Sequence, residues 1–228
     1  MDGKPILNIR SLKEQVYEYL REQMRRGVIL PGSVIDMEET SRKLGVSKTP
    51  LRDALLQLET EGFVTILPRR KVVVNTLTGA DIRNYYEIIG SLESMAILKA
   101  FDRVRESGIE DLQELNDGMK AAIEANDFDL YYERNLAFHN AFLRPCGNDH
   151  LVKIVNNLKK RLYDFPRLKG FVKEWEEASI GEHQRLIDII RSGKRQEAAN
   201  HMRDVHWSFE VQKKYIRRYY TDVVKDDD

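Results

Sequence analysis

Three side chains in the second half of the chain have the types and spacing to hold a ligand. Asn135 and His139 are four residues apart, so on a helix they lie one turn apart on one side. That side is otherwise apolar: Phe128, Tyr131, Phe138 and Phe142 share its register. His183 interrupts a second stripe made of Val172, Trp175, Ser179, Leu186 and Ile190. A buried amide and two buried imidazoles need partners, because leaving such a group unpaired costs about 1–3 kcal/mol. A divalent metal such as Zn or Ni, held at about 2.0–2.2 Å, is one solution. Hydrogen bonds to one another, to water or to an organic ligand are the other.

A second constellation lies nearer the N-terminus. Ser47, Lys48, Thr49 and Arg52 put two hydroxyls and two cations at the start of a helix. Arginine and lysine donate to guanine O6 and N7, and hydroxyls reach bases or phosphates. The backbone N–H groups of a helix N-terminus suit a phosphate. Further on, Pro68-Arg69-Arg70-Lys71 places three cations in one turn. Each piece alone also fits a bland role: capped helices with leucines are ordinary core, and a basic turn protects a hairpin edge.

The elements that must position these residues follow from periodicity. Ile9, Leu12, Val16, Leu20 and Met24 predict a helix over 9–26, stopped by Gly27 and Pro31-Gly32. Asp36-Met37-Glu38-Glu39 reads as a capping box opening a short helix that ends near Gly45. Ser47 caps the next helix, which tolerates Pro50 in its first turn, buries Leu51, Leu55 and Leu58, and ends at Gly62. Phe63–Leu67 and Val72–Val74 flank the basic turn as a hairpin. From Leu77 on, no strand is expected. Six helices are, near 79–103, 109–125, 127–143, 149–165, 172–191 and 194–219, with stripes such as Leu151, Ile154, Leu158, Leu162 and Phe165, or Ala198, Met202, Val205, Phe209 and Ile216. The fold class is therefore mainly α: a winged helix-turn-helix with a small β-hairpin over 1–77, then an antiparallel bundle of six or seven helices over 78–228.

Composition narrows the function classes. Lys+Arg and Asp+Glu both number 37, so any nucleic-acid binding needs a local patch rather than a basic whole. Residues 1–77 are net basic and the remainder net acidic. No run of eighteen apolar residues or secretory signal is present, so a cytoplasmic protein without membrane association is expected. The single cysteine, Cys146, excludes an internal disulfide framework and a CxxC metal motif.

Residues 10–76 resemble the winged-helix domain of the GntR family of bacterial regulators. The resemblance is carried by Val28-Ile29-Leu30-Pro31-Gly32, by Leu44-Gly45-Val46-Ser47-Lys48-Thr49-Pro50-Leu51-Arg52-Asp53-Ala54-Leu55, and by Leu58-Glu59-Thr60-Glu61-Gly62-Phe63-Val64. The remainder is similar to the ligand-sensing, FCD-type domain of the FadR subfamily, through Asn135-Leu136-Ala137-Phe138-His139 and Glu182-His183, with Gly193 and Met202 beyond. Six helices would place it in the VanR-like branch. The resemblance implies DNA contacts from Ser47, Lys48, Thr49 and Arg52, with Arg69, Arg70 and Lys71 at the wing. Lys48 stands where arginine is common, which weakens bidentate guanine reading. Lys71 stands where the wing often has glycine.

For the helical domain the resemblance implies a metal held by Asn135, His139, His183 and a third histidine. That histidine is expected twenty-two residues after His183, where this chain has Val205. His206 follows it and is taken as the candidate fourth ligand, and His201 lies a turn before, though neither is in the expected register. An arginine common four residues before Glu93 is Ile89 here. An organic-acid effector would then be anchored by the metal, by Arg134 or by Arg161.

The expected function is a DNA-binding transcription regulator, a repressor, whose effector-binding domain also forms the homodimer. Its partners are double-stranded DNA with a pseudo-palindromic operator and a small-molecule effector. One alternative is a metal-dependent hydrolase built on three histidines and Glu182, against which stands the lack of HExxH, GxSxG and P-loop spacings. The other is a helical module whose winged helix contacts protein rather than DNA.

Overall fold

The computed structural model describes residues 10–68, 71–163 and 172–219. Contacts divide the chain into two compact units. The first runs to Leu77 and takes in the chain again from Lys160, and the second starts at Thr78 and holds the rest.

In the first unit α1 (Leu12–Arg25) opens on a reciprocal cap. The Ser11 hydroxyl accepts from Glu14 N, and the Glu14 carboxylate accepts from Ser11 N. α2 (Met37–Leu44) starts beneath Asp36, whose Oδ1 accepts from Glu38 N and Glu39 N, and ends at Gly45 in the left-handed region. α3 (Lys48–Thr60) buries Leu51, Ala54, Leu55 and Leu58, and α1 packs on it through Val16, Tyr17, Leu20 and Met24. Ser47 holds the N-cap position of α3, but its side chain makes no capping bond, contrary to the sequence expectation.

Gly62, at φ +77°, turns the chain into the hairpin β2 (Val64–Leu67) and β3 (Lys71–Val74), with Leu67 opposite Lys71. A two-residue strand before α2, β1 (Val34–Ile35), pairs with the other edge of β3. Two residues carry no period, so the sequence does not announce it.

The second unit is helical: α4 (Gly79–Ser107), α5 (Ile109–Glu124), α6 (Phe128–Leu143), α7 (Asp149–Tyr163, counted with this unit up to Lys159), α8 (Lys173–Arg191), α9 (Arg195–His201) and α10 (Phe209–Tyr219). α5 packs on α6 and α8, and α4 packs on α6 and α9. The single helix expected over 194–219 is broken. Residues Met202–His206 form a π turn, in which Trp207 N donates to Met202 O, five residues back, at 3.0 Å. The count of six helices thus becomes seven among the described residues. On α7 the buried face is Leu151, Val155, Lys159 and Leu162, whereas Ile154, expected inside, is 48% exposed. Phe165 lies outside the described residues. No described helix is long and apolar enough to cross a membrane.

Candidate metal centre and nucleic-acid interface

The start of α3 presents Ser47, Lys48, Thr49 and Arg52 to solvent. Lys48, Thr49 and Arg52 line one wall of a cleft of about 530 Å³, with Leu56 beside them and Ile66 and Lys71 of the hairpin opposite. The fold thus brings Lys71 to the same cleft as the α3 cations. Arg69 and Arg70 lie outside the described residues. Lys48 Nζ rests 2.5 Å from Glu38 Oε1 and, donating to it, holds the Glu38 carboxyl below the usual carboxylate range. Arg52 Nε lies 3.9 Å from Asp53 Oδ1. Both pairs are exposed, so solvent and salt screen them and each cation can exchange its carboxylate for a phosphate.

In the helical unit α6 supplies Asn135 and His139, α8 supplies His183, and the π turn supplies His206. All four are buried. One ring nitrogen from each histidine lies within 4.8 Å of the others. Ring centroids are 5.3 Å apart for His139–His183, 5.2 Å for His139–His206 and 4.7 Å for His183–His206.

Carboxylates fix two of the rings. Glu93 Oε2 lies 2.8 Å from His139 Nδ1, and Glu182 Oε2 lies 2.8 Å from His206 Nδ1. Glu93, held ionised, only accepts, so His139 Nδ1 carries the proton and its Nε2 presents a lone pair. Such carboxylate–histidine pairs orient metal ligands. Glu93 also accepts from Trp207 Nε1 at 2.7 Å and pairs with the ammonium of Lys159. Burial alone would raise the Glu93 carboxyl, but His139 and Lys159 hold it below the usual range. Glu182 accepts in addition from Gln212 Nε2 at 2.8 Å, and Gln212 accepts from Trp175 Nε1 at 2.9 Å. His183 is held differently, stacked on Phe138 with centroids 4.1 Å apart.

Four buried atoms of this group have no hydrogen-bond partner: Asn135 Oδ1, His139 Nε2 and both ring nitrogens of His183. Burial pushes His139 down to about 3 and His183 well below its ordinary value, so both rings are neutral at pH 7. Neutral imidazoles and an amide oxygen are donors for a divalent ion of the zinc or nickel type. The residues present therefore fit a metal.

Comparison with known proteins decides the family. The model for the FCD domain matches residues 84–206, and that for bacterial regulatory proteins of the gntR family matches residues 12–74. This chain is a GntR-family transcriptional regulator with an FCD domain. Among relatives of this regulator, the gluconate operon transcriptional repressor of Bacillus subtilis is 26% identical over 195 residues, covering 84% of this chain and 79% of the relative. The transcriptional repressor RspR of Escherichia coli is 27% identical over 150 residues, 66% of each chain. The solved structure of E. coli McbR/YncC shares the fold at a TM-score of 0.67 and 22% identity, covering 94% of this chain and 99% of the other. These relatives are regulators, not enzymes, which removes the hydrolase alternative.

The remaining sequence candidates of the regulator make contacts of their own. Arg134 packs its side chain beside Gly118 of α5. Arg161 belongs to the first unit, where its Nη2 donates to Gly62 O at 3.0 Å. His201 turns its Nε2 to the carbonyl of Glu182, at 2.9 Å. His206, out of register by α-helical spacing, enters the cluster because the π turn holds one extra residue. Gly90 of α4 makes room for it: a Cβ there would meet Trp207 Cβ at 2.9 Å.

Proposed function

We propose that this regulator is a repressor that binds a pseudo-palindromic DNA operator as a homodimer and releases it under control of a small-molecule effector. α3 enters the major groove with Ser47, Lys48, Thr49 and Arg52. The hairpin carrying Arg69, Arg70 and Lys71 meets the adjacent backbone or minor groove. The assembly is expected to be dimeric because one winged helix covers too few base pairs for genomic specificity. Repression is supported by the names of the gluconate operon repressor and RspR.

The observation that carries the sensing half is the set of unpartnered buried donors on Asn135, His139 and His183, with His206 facing them. A core does not tolerate such atoms uncompensated. Asn135, His139, His183 and His206 would hold a divalent ion, and the ion would supply positive charge for an organic-acid effector. Glu93 and Glu182 orient the rings that receive it.

The test is a thermal-stability screen of the purified protein with ZnCl₂, NiCl₂ and a panel of small carboxylic acids, followed by operator titration. A native-state ligand raises the melting temperature. Effector and operator must then alter each other's affinity by one common factor. If His139→Ala and His183→Ala both leave metal content and ligand-controlled DNA affinity as in the parent, the sensing site lies elsewhere. DNA binding that ignores salt would instead favour a protein-contacting winged helix.

A further inference from the structure

The four donors of the proposed centre have a common property: none is anionic. Asn135 offers an amide oxygen and the histidines offer imidazole nitrogens. The two carboxylates closest to them are committed to other groups. Glu93 receives His139, Trp207 and Lys159, and Glu182 receives His206 and Gln212. Lys159 adds no free charge, because Glu93 matches it.

We infer that Asn135 is the selectivity-determining residue of this centre, making it a site for late first-row ions such as Zn²⁺ and Ni²⁺ and poor for the harder Mn²⁺. The inference rests on the metal reading of the site given above. Imidazole suits zinc, copper and nickel, whereas manganese, magnesium and calcium favour sets of oxygen donors, chiefly anionic carboxylates, and the single oxygen here, Asn135 Oδ1, is neutral. A preference for zinc over manganese is not diagnostic by itself, since affinity rises from Mn²⁺ to Zn²⁺ at nearly any such site. The diagnostic quantity is the response to one added charge. Asn135→Asp keeps the shape of the side chain and places an anionic oxygen where solvent screens it little. Manganese, which lacks any anionic donor here, gains most from that oxygen. Zinc already draws on three imidazoles and gains less.

The experiment is a competition titration of ZnCl₂, NiCl₂ and MnCl₂ against a chromophoric chelator, using full-length parent, Asn135→Asp and Asn135→Ser proteins whose folding is checked by circular dichroism. The expected result is that Asn135→Asp tightens Mn²⁺ at least tenfold more than Zn²⁺. Asn135→Ser, neutral and shorter, weakens Zn²⁺ and Ni²⁺ without improving Mn²⁺, and gives a reading even where Asn135→Asp does not fold. Equal tightening of both ions by Asn135→Asp overturns the inference, as does a parent protein that binds Mn²⁺ as tightly as Zn²⁺, or an Asn135→Ser variant that improves Mn²⁺. In those cases the metal centre itself stands. A parent protein that binds none of the three ions overturns the metal reading together with the inference.

Discussion

Glu182 Oε2 lies 2.8 Å from His206 Nδ1, and that contact holds the one histidine that the linear spacing misplaces. If His206 is a ligand, His206→Ala abolishes metal binding while Val205→Ala leaves it within about twofold. Glu182→Gln weakens binding by about 10–100-fold, the usual effect of losing a carboxylate behind a metal-bound histidine. Isothermal titration with ZnCl₂ reads all three. Equal effects from positions 205 and 206 would contradict the placement.

The two tryptophans of the chain both donate hydrogen bonds into this network, Trp207 to Glu93 and Trp175 to Gln212. Metal addition is therefore expected to change the intrinsic emission of the protein. Trp207→Phe should remove most of the change, since Trp207 is one bond from a ligand's carboxylate and Trp175 is two. Identical titration curves for parent and variant would show that the emission reports something else.

The metal-free protein should lose stability in mild acid. His139 and His183 resist protonation when folded, with His139 at about 3, but titrate near 6.5 when unfolded. Below pH 6.5 the unfolded chain binds more protons, so stability falls as pH falls, by about 1.4 kcal/mol per pH unit for each histidine. Denaturant unfolding in a chelating buffer between pH 7 and pH 5 measures the slope. His183→Phe should flatten it, and an unchanged slope would sink the argument.

Lys159→Met leaves the Glu93 carboxylate without its cation in a fully buried place. The expected loss of stability is about 3–5 kcal/mol, the range for removing one partner of a buried pair. A loss under 1 kcal/mol in chemical denaturation would mean that His139 and Trp207 satisfy Glu93 by themselves.

On the DNA side, Arg52→Ala should cost about 1–3 kcal/mol of operator binding if the side chain reads a base. Lys71→Ala should weaken all sequences alike and lower the salt slope by about 1, as for a phosphate contact. Glu38→Gln should do the opposite, tightening binding roughly two- to fivefold at low salt by releasing Lys48. Fluorescence anisotropy at two salt concentrations distinguishes these outcomes.

Much of the architecture was readable from residue types. Asp36 caps α2, although Glu39 does not return the bond that would make the expected capping box, and the leucines of α3 fall inside. The amide and histidines on apolar faces stood out because buried polar groups demand partners, and Asn135, His139 and His183 are indeed buried. What escaped notice has physical causes. On α7, Ile154 and Leu158 looked more like core than Val155 and Lys159, which hid the buried lysine. Glu93 stands on the buried face of α4 with Ile89 and Ile97, and a charge in that register was a signal available but unused. The π turn does not follow from the apolar period of the sequence, and the close approach of Trp207 to Gly90 that accompanies it joins residues far apart in the chain.

The π turn also changes what an insertion or deletion means for this protein. Arg203 and Asp204 point outward and pair with each other at the surface. Removing one of them would let the segment wind as an ordinary α-helix and still carry the same histidine inward, now at the interval of twenty-two. On the metal reading proposed above, a one-residue change in chain length at this point would leave the same three rings facing one another. Kinship among such centres is better judged by where ring nitrogens meet in space than by counting residues between them.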